Sequence, residues 1–466
     1  MFLIRNIKLI LLTAVIVTVS QFSSAQVVQN TFDIVPQIEK VDSVVSELGR
    51  DLKPSLPEQE INKRLLQDVK SFNTFPLEAL PDVLTISGSA TNQAWTEVRV
   101  EDNWRAIKNQ WIVLADETTK RTLVILGASI DSERLYAGLN LTLLRFTVPE
   151  QLDSKQALAN HLTQSALETL DRNHIYQAQS IQDNSESTPG RASAMQLQGA
   201  SSISTQINGA FCADDLRIGM IDSAVDRGHP VLSNSKVSSK SFLVGGVKSP
   251  TLHGTAVASV LLGKFENKKP LLGNAHLYSA EVLYRQSDYA QGASLNAIID
   301  AMNWLLEEEV MVINMSLAGP ANSILKAVIG AANKQGAYIV AAAGNEGPAA
   351  PAVYPAGYED VVAVSAIDEH QKAYRWSNQG PYIDYAALGV NVVTAQSQQR
   401  IGRESGTSMA APVVSAALVC ILAKLAENSV PARAEVMDML SAKALDLGPK
   451  GRDPIYGIGV IQANKL

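Results

Sequence analysis

Cysteine is almost missing from this chain: two in 466 residues, Cys212 and Cys420. Their spacing fits neither a zinc site nor a redox pair. They are one disulfide or two buried thiols, and the sequence leaves both open. No basic run stands out and the net charge is −7, which argues against nucleic acid or an anionic membrane surface as the main partner. After the first 25 residues no stretch reads as long and apolar enough to span a bilayer. What remains is the composition of an ordinary globular protein, 46% hydrophobic and 18% charged. The length predicts two or three domains, with ample material for a large core.

Residues 1–25 read as a secretory signal. Arg5 and Lys8 supply the positive end, residues 9–19 a short apolar core, and Ser23-Ser24-Ala25 a small-residue cleavage site before Gln26. Position 26 is not cysteine, so a lipid-anchored mature form is not expected. The protein is expected to be exported, to a periplasm or to the medium. Residues 26–87 are polar and carry no recognisable chemistry. From about residue 91 to 176 a compact α+β pattern follows. Strands are expected at 95–100, 110–115, 122–126 and 142–148, helices at 133–139 and 154–170, and a closing turn and strand at 171–176. That mix suits a small ferredoxin-like unit. Its His174 reads as a surface or turn residue. Residues 177–208 are rich in Gln, Ser, Asn, Thr, Gly and Ala, a linker composition accessible to proteases.

The pattern from 209 to 466 is β/α. Short apolar strands are expected at 217–221, 310–315, 338–342 and 361–366, and helices at 253–264, 294–307, 323–334, 413–425 and 432–445. Buried strands alternating with helices imply a mainly parallel sheet covered on both faces, with its site at the carboxyl ends of the strands.

Four polar residues fall at such places. Asp222 ends the first strand, in Ile221-Asp222-Ser223. His253 opens a helix in His253-Gly254-Thr255, and Asn345 follows a strand in Gly344-Asn345-Glu346-Gly347. Ser408 opens the apolar helix, in Ser405-Gly406-Thr407-Ser408-Met409-Ala410-Ala411-Pro412. Acyl transfer needs a nucleophilic oxygen, an imidazole to take its proton, a carboxylate to orient the imidazole, and a donor for the oxyanion. Taken singly, Asp222 is as readily a turn former, Asn345 a turn residue, and Ser405, Thr407 and Ser408 helix caps. Among the six histidines His229 competes as the base, but the proline after it favours a loop role.

With Asn314-Met315-Ser316-Leu317 and Tyr456-Gly457-Ile458-Gly459-Val460 added, these motifs resemble the subtilase family of subtilisin-like serine proteases. The resemblance runs from 217 to the C-terminus. It implies an α/β three-layer sandwich, with Asp222 orienting, His253 as base then acid, Ser408 attacking, and Asn345 with the Ser408 N–H binding the oxyanion. It further implies that Ser316, Leu317, Ala318 and Gly319 pair with the substrate backbone, and that Val353 lies at the bottom of the first specificity pocket. Ala224 and Ala318 stand where the family commonly has glycine. The N-terminal unit resembles a propeptide that assists folding and inhibits the enzyme intramolecularly until cleavage within 177–208. The alternative is an accessory domain that stays attached. No cofactor is expected in catalysis. Structural calcium, frequent in the family, has no assignable site here, and no metal ligand is expected among the site residues. The expected partners are polypeptide substrates. A pseudoenzyme that binds peptides and a peptide ligase on the same fold are the competing readings.

Overall fold

The computed structural model describes residues 80–89, 94–178, 212, 216–266, 269–288, 290–426 and 431–462. The expected signal segment, most of 26–87 and nearly all of the linker lie outside the described residues. The described residues all fall in the compact unit Leu80–Leu466.

Its larger part is built on a nine-stranded sheet with strand order β19-β20-β16-β15-β14-β12-β7-β9-β8. The strands are β7 (Arg217–Asp222), β8 (Lys236–Ser241), β9 (His276–Glu281), β12 (Val312–Met315), β14 (Tyr338–Ala342), β15 (Val361–Ile367), β16 (Tyr385–Leu388), β19 (Ala444–Leu445) and β20 (Val460–Ile461). All neighbours are parallel except β19 and β20. The central strands are wholly buried, and apolar except at Asn314 and Ser365, because helices cover both faces. One face packs on α4 (Leu252–Leu262), α7 (Thr407–Ala426) and α8 (Arg433–Ala442). The other packs on α5 (Leu295–Glu307) and α6 (Ser323–Lys334). Three layers result, as expected.

The N-terminal part carries β1 (Val83–Ile86), β2 (Trp95–Arg99), β3 (Arg105–Leu114), β4 (Ser129–Tyr136), β5 (Leu141–Thr147) and β6 (Asp171–Ala178). Its helices are α1 (Glu117–Ile125), α2 (Lys155–Ala159) and α3 (Gln164–Glu168). The order β3-α1-β4-β5-α2-α3-β6 folds into antiparallel neighbours β4-β5-β3-β6.

Several expectations at this end need correction. Residues 122–125 are helix and Leu126 its C-cap, not strand. Asp116 accepts from the Thr119 N–H and starts a turn that carries the apolar run with it, and such short runs suit either state. Residues 133–139 are mostly strand: Glu133 to Tyr136 pair with Leu144 to Leu141 of β5. The expected helix 154–170 is two short helices, capped separately by Ser154 and Thr163. His174 is buried rather than on the surface.

β6 runs through Ala178 and joins a second sheet with β11 (Gln291–Ser294), β10 (Tyr284–Arg285) and β13 (Leu317–Ala318), all from the larger part. The remaining strands, β17 (Val392–Ala395) and β18 (Ile401–Glu404), form a hairpin leading into α7.

α7 also corrects the expectation that no later stretch could cross a membrane. At 20 residues it is long and apolar enough by length and composition. Its residues from Thr407 to Ile421 are buried in the protein's own core, which accounts for that composition. The two cysteines form a disulfide, Cys212–Cys420, with Cα atoms 5.7 Å apart. It ties the chain before β7 to the middle of α7.

Candidate active site

Asp222 is the last residue of β7, at the carboxyl edge of the sheet, and has no exposed surface. Its Oδ1 accepts from His253 Nδ1 at 2.6 Å and from the Ser223 N–H at 2.7 Å. His253 stands in the first turn of α4. Ser223 Oγ accepts from the Gly254 N–H at 2.7 Å, pinning that turn against the end of β7. A Cβ at Gly254 would lie 2.2 Å from the Ser223 carbonyl oxygen, so only glycine allows this approach. Burial works against charge on the imidazole. The Asp222 carboxylate, with a smaller contribution from Glu404, outweighs it and holds His253 above the usual histidine range. With Nδ1 donating to Asp222, Nε2 of the neutral ring is the acceptor. Nε2 is buried and makes no hydrogen bond.

Ser408 lies in the first turn of α7, which packs against α4. The structure brings these two helices together without a hydrogen bond from Ser408 to Nε2. Such contacts are often loose until substrate binds. Pro412 sits one turn further along α7. It has no N–H, so the Ser408 carbonyl lacks the usual i+4 donor. Ser316 Oγ donates to that carbonyl instead, at 3.2 Å. Asn314 Nδ2 donates to Ser316 Oγ, and Ser415 Oγ donates to Asn314 Oδ1, both at 3.0 Å. This chain is fully buried and fixes α7 to β12 and the segment after it.

Just before α7, Ser405 Oγ accepts from the Asn391 N–H. The Thr407 N–H, an orphan donor of the helix start, is taken by Asn345 Oδ1 at 3.0 Å, and Thr407 Oγ1 donates to the same atom at 3.1 Å. These two bonds fix the amide plane of Asn345 against the start of α7. The Asn345 turn is braced by Asn378, whose Oδ1 accepts from the Glu346 N–H and whose N–H donates to the Gly344 carbonyl.

Beside Ser408, the segment Ser316 to Gly319 forms one wall of a slot. Leu317 and Ala318 of β13 pair antiparallel with Ala178 and Gln177 of β6. On the other side Gly292, Ala293 and Ser294 of β11 pair with Gln177, Tyr176 and Ile175. Tyr176 is completely buried, its hydroxyl donating to the Pro320 carbonyl at 3.1 Å. Two further residues of β6 complete helices of the larger part. Asp171 Oδ2 accepts from the Ser323 N–H and hydroxyl at the start of α6. Asn173 Oδ1 accepts from the Asn296 N–H at the start of α5. Both satisfy donors a helix cannot satisfy itself, and Asp171 also complements the dipole. Val353 is buried, and the residue after it exchanges two backbone hydrogen bonds with Gly319.

His229, the rival base, is structural. Its Nδ1 accepts from the Val231 N–H and its Nε2 donates to the Arg400 carbonyl. Among the described residues no group of three His, Cys, Asp or Glu side chains could hold a metal ion.

A family model described as the subtilase family matches residues 213–459. The chain belongs to the subtilase family. Among curated proteins this subtilase is similar to the minor extracellular protease Epr of Bacillus subtilis, 31% identical over 253 residues, 53% of this chain and 38% of that protein. It is similar to subtilisin E of the same organism, 32% identical over 262 residues, 54% of this chain and 65% of that one. It is also 32% identical to the subtilisin of Bacillus pumilus over 262 residues, 54% of this chain and 90% of that one. The aligned part thus spans under two thirds of Epr and of subtilisin E.

Sequence reasoning named Thr407 only as a possible helix cap and Ser223 only as part of a motif, and it did not single out Ser415, Asn378 or the strand β11. Pro412 was the available signal: a proline inside a buried helix leaves the carbonyl four residues earlier to be satisfied by something else.

Proposed function

We infer that this subtilase is an exported serine endopeptidase, made as a self-processing precursor whose N-terminal part is an inhibitory, ferredoxin-like propeptide. The observation that carries the reading is the seat of β6. An extended segment of the protein's own chain lies between β11 and β13, bonded through its backbone on both sides, and β13 directly follows Ser316, whose Oγ donates to the Ser408 carbonyl. β-Strand addition of this kind is how an extended peptide is held for cutting.

In the mechanism we propose, His253 Nε2 takes the Ser408 proton as Oγ attacks the scissile carbonyl. Asp222 keeps the imidazole in the tautomer that leaves Nε2 open and stabilises it once charged. Asn345 Nδ2 and the Ser408 N–H receive the oxyanion. His253 then protonates the leaving amine, and water resolves the acyl-enzyme by the same steps in reverse. No cofactor takes part. Calcium binding stays an open proposal, tested by whether chelation lowers thermal stability. Val353 shortens the first specificity pocket, so small or medium apolar residues are expected there over Phe or Tyr. A peptide library cut best after large aromatics contradicts that.

The test is to express the whole chain and its Ser408→Ala variant. The unaltered chain should acquire a new N-terminus within 177–208, label with a fluorophosphonate and hydrolyse peptides, while Ser408→Ala accumulates uncut. A variant that matures normally in purified form refutes self-processing. An unaltered chain that does not label favours a peptide-binding pseudoenzyme. Transfer of the acyl group to amines in place of hydrolysis would identify a ligase.

A further inference from the structure

Away from the slot, one carboxylate is sealed between the N-terminal part and the larger part. Glu97 on β2 has no exposed surface. Its Oε2 accepts from Arg105 Nε at 3.0 Å and from Gln286 Nε2 at 2.7 Å, and its Oε1 accepts from the Tyr284 hydroxyl at 2.5 Å. A carboxylate removed from water is tolerated only when its lone pairs are taken up and its charge is countered. Arg105, on β3, supplies the countercharge from within the N-terminal part. The other two donors come from the larger part.

Those donors sit on the hairpin of β10 and β11, and the hairpin is shaped around them. A Cβ at Gly292 would lie 2.8 Å from Gln286 Cδ and 2.9 Å from its Nε2. The Gln286 amide can therefore lie against β11 only because position 292 has no side chain. The Tyr284 ring meets Trp95 of β2 edge to face, with centroids 4.7 Å apart. Burial, and then the charge of Glu97, hold the Tyr284 phenol well above its usual range, so it stays protonated and donates. β10 is one strand beyond β11, about 10 Å from the path of β6 at ordinary strand spacing.

We propose that Tyr284 and Gln286 form a carboxylate-binding site on the catalytic part, separate from the cleft, and that Glu97 is the ligand that keeps the N-terminal part bound after the connecting chain is cut. This rests on the reading of that part as an inhibitory propeptide. The cleft holds β6 through backbone bonds that any extended chain can make. The Tyr284–Gln286 site instead requires an acidic side chain, paired with its own arginine, at one place on a neighbouring strand. It separates a retained inhibitor from a substrate that leaves.

The test uses the full chain with its site residues intact, beside Tyr284→Phe and Gln286→Ala. After self-cleavage, size-exclusion chromatography follows how long the N-terminal fragment co-elutes with the larger one. A peptide substrate reports the lag before activity, counted from completion of the cut. Loss of one donor to a buried carboxylate should speed release and shorten the lag by about 10- to 100-fold. Retention and lag equal to those of the unaltered chain in both variants overturn the proposal. Should Tyr284→Phe not yield soluble protein, Gln286→Ala, which leaves the ring packing in place, carries the same readout. An unaltered chain that cuts itself but sheds its fragment at once overturns the site and leaves the protease reading standing. One that never cuts overturns both.

Discussion

The disulfide offers the perturbation whose size follows most directly from the structure. Cys212 and Cys420 are 208 positions apart in sequence, so their bond closes a loop spanning nearly the whole larger part. In the chain-entropy account, cross-linking a loop of that length restricts the unfolded chain by at most about 5 kcal/mol at 25 °C, and measured effects typically reach about 2–4 kcal/mol. Cys420 is buried in the core and Cys212 packs against it, so alanine, which introduces no polar atom, is the suitable replacement. Cys212→Ala/Cys420→Ala should lose about 2–5 kcal/mol, and reductant should bring the unaltered chain close to the same value. The assay is urea unfolding followed by tryptophan fluorescence, in a Ser408→Ala background to suppress the proposed self-digestion. With a slope of about 1–3 kcal/mol/M, the midpoint should fall by roughly 1 M or more. Coincident midpoints with and without reductant, both matching the double variant, refute the loop-closure reasoning.

Three other outcomes are expected. His253 must be neutral to accept the Ser408 proton, and Asp222 and Glu404 hold it above its usual value of about 6.5. kcat/KM should therefore fall on acidification with a midpoint above that value, and Asp222→Asn should move the midpoint down; a midpoint at or below 6.5 in the unaltered enzyme contradicts the geometry. Asn345→Ala should reduce turnover by about 10²–10³ with little change in KM, the usual effect of removing one oxyanion donor, and a change confined to KM would remove Asn345 from that role. Burial, more than any neighbour, depresses His174, which is neutral in place and accepts from Asn322 Nδ2. Released, it takes a proton near 6.5, so the grip on the N-terminal part is full above that pH and weakens as pH falls below it; co-elution across pH 7.5 to 5.5 checks this, and His174→Gln should flatten the profile.

The larger part was legible because its signals are local and strong. The helices at 323–334 and 295–307 and the strands at 338–342 and 361–366 came within a residue or two, since continuous apolar strands and one-sided helices leave little ambiguity. Asp222, His253 and Asn345 were readable by position, each at the carboxyl end of a strand or the start of a helix. The N-terminal part was harder. Thr122 to Leu126 is apolar without a period, and the Asp116 cap that settles it is a single side-chain bond. His174 looked like a turn residue because the partner it bonds, Asn322, lies far along the chain. Nothing local in 171–178 indicates that this stretch completes two helices and a sheet of another part. Those bonds exist only once the two parts meet.

The slot that β6 fills is walled by strands of four residues and two. Once emptied, it presents two facing rows of backbone donors and acceptors, each too short to recruit a neighbouring sheet. Only a single strand with both edges open can enter. A strand already paired within a folded domain has one edge occupied and cannot bond to both walls. In the endopeptidase proposed above, the gate would therefore be set by whether a target's backbone is unpaired: loops, termini and unfolded chains would be admitted, and well-folded proteins, including its own core, passed over.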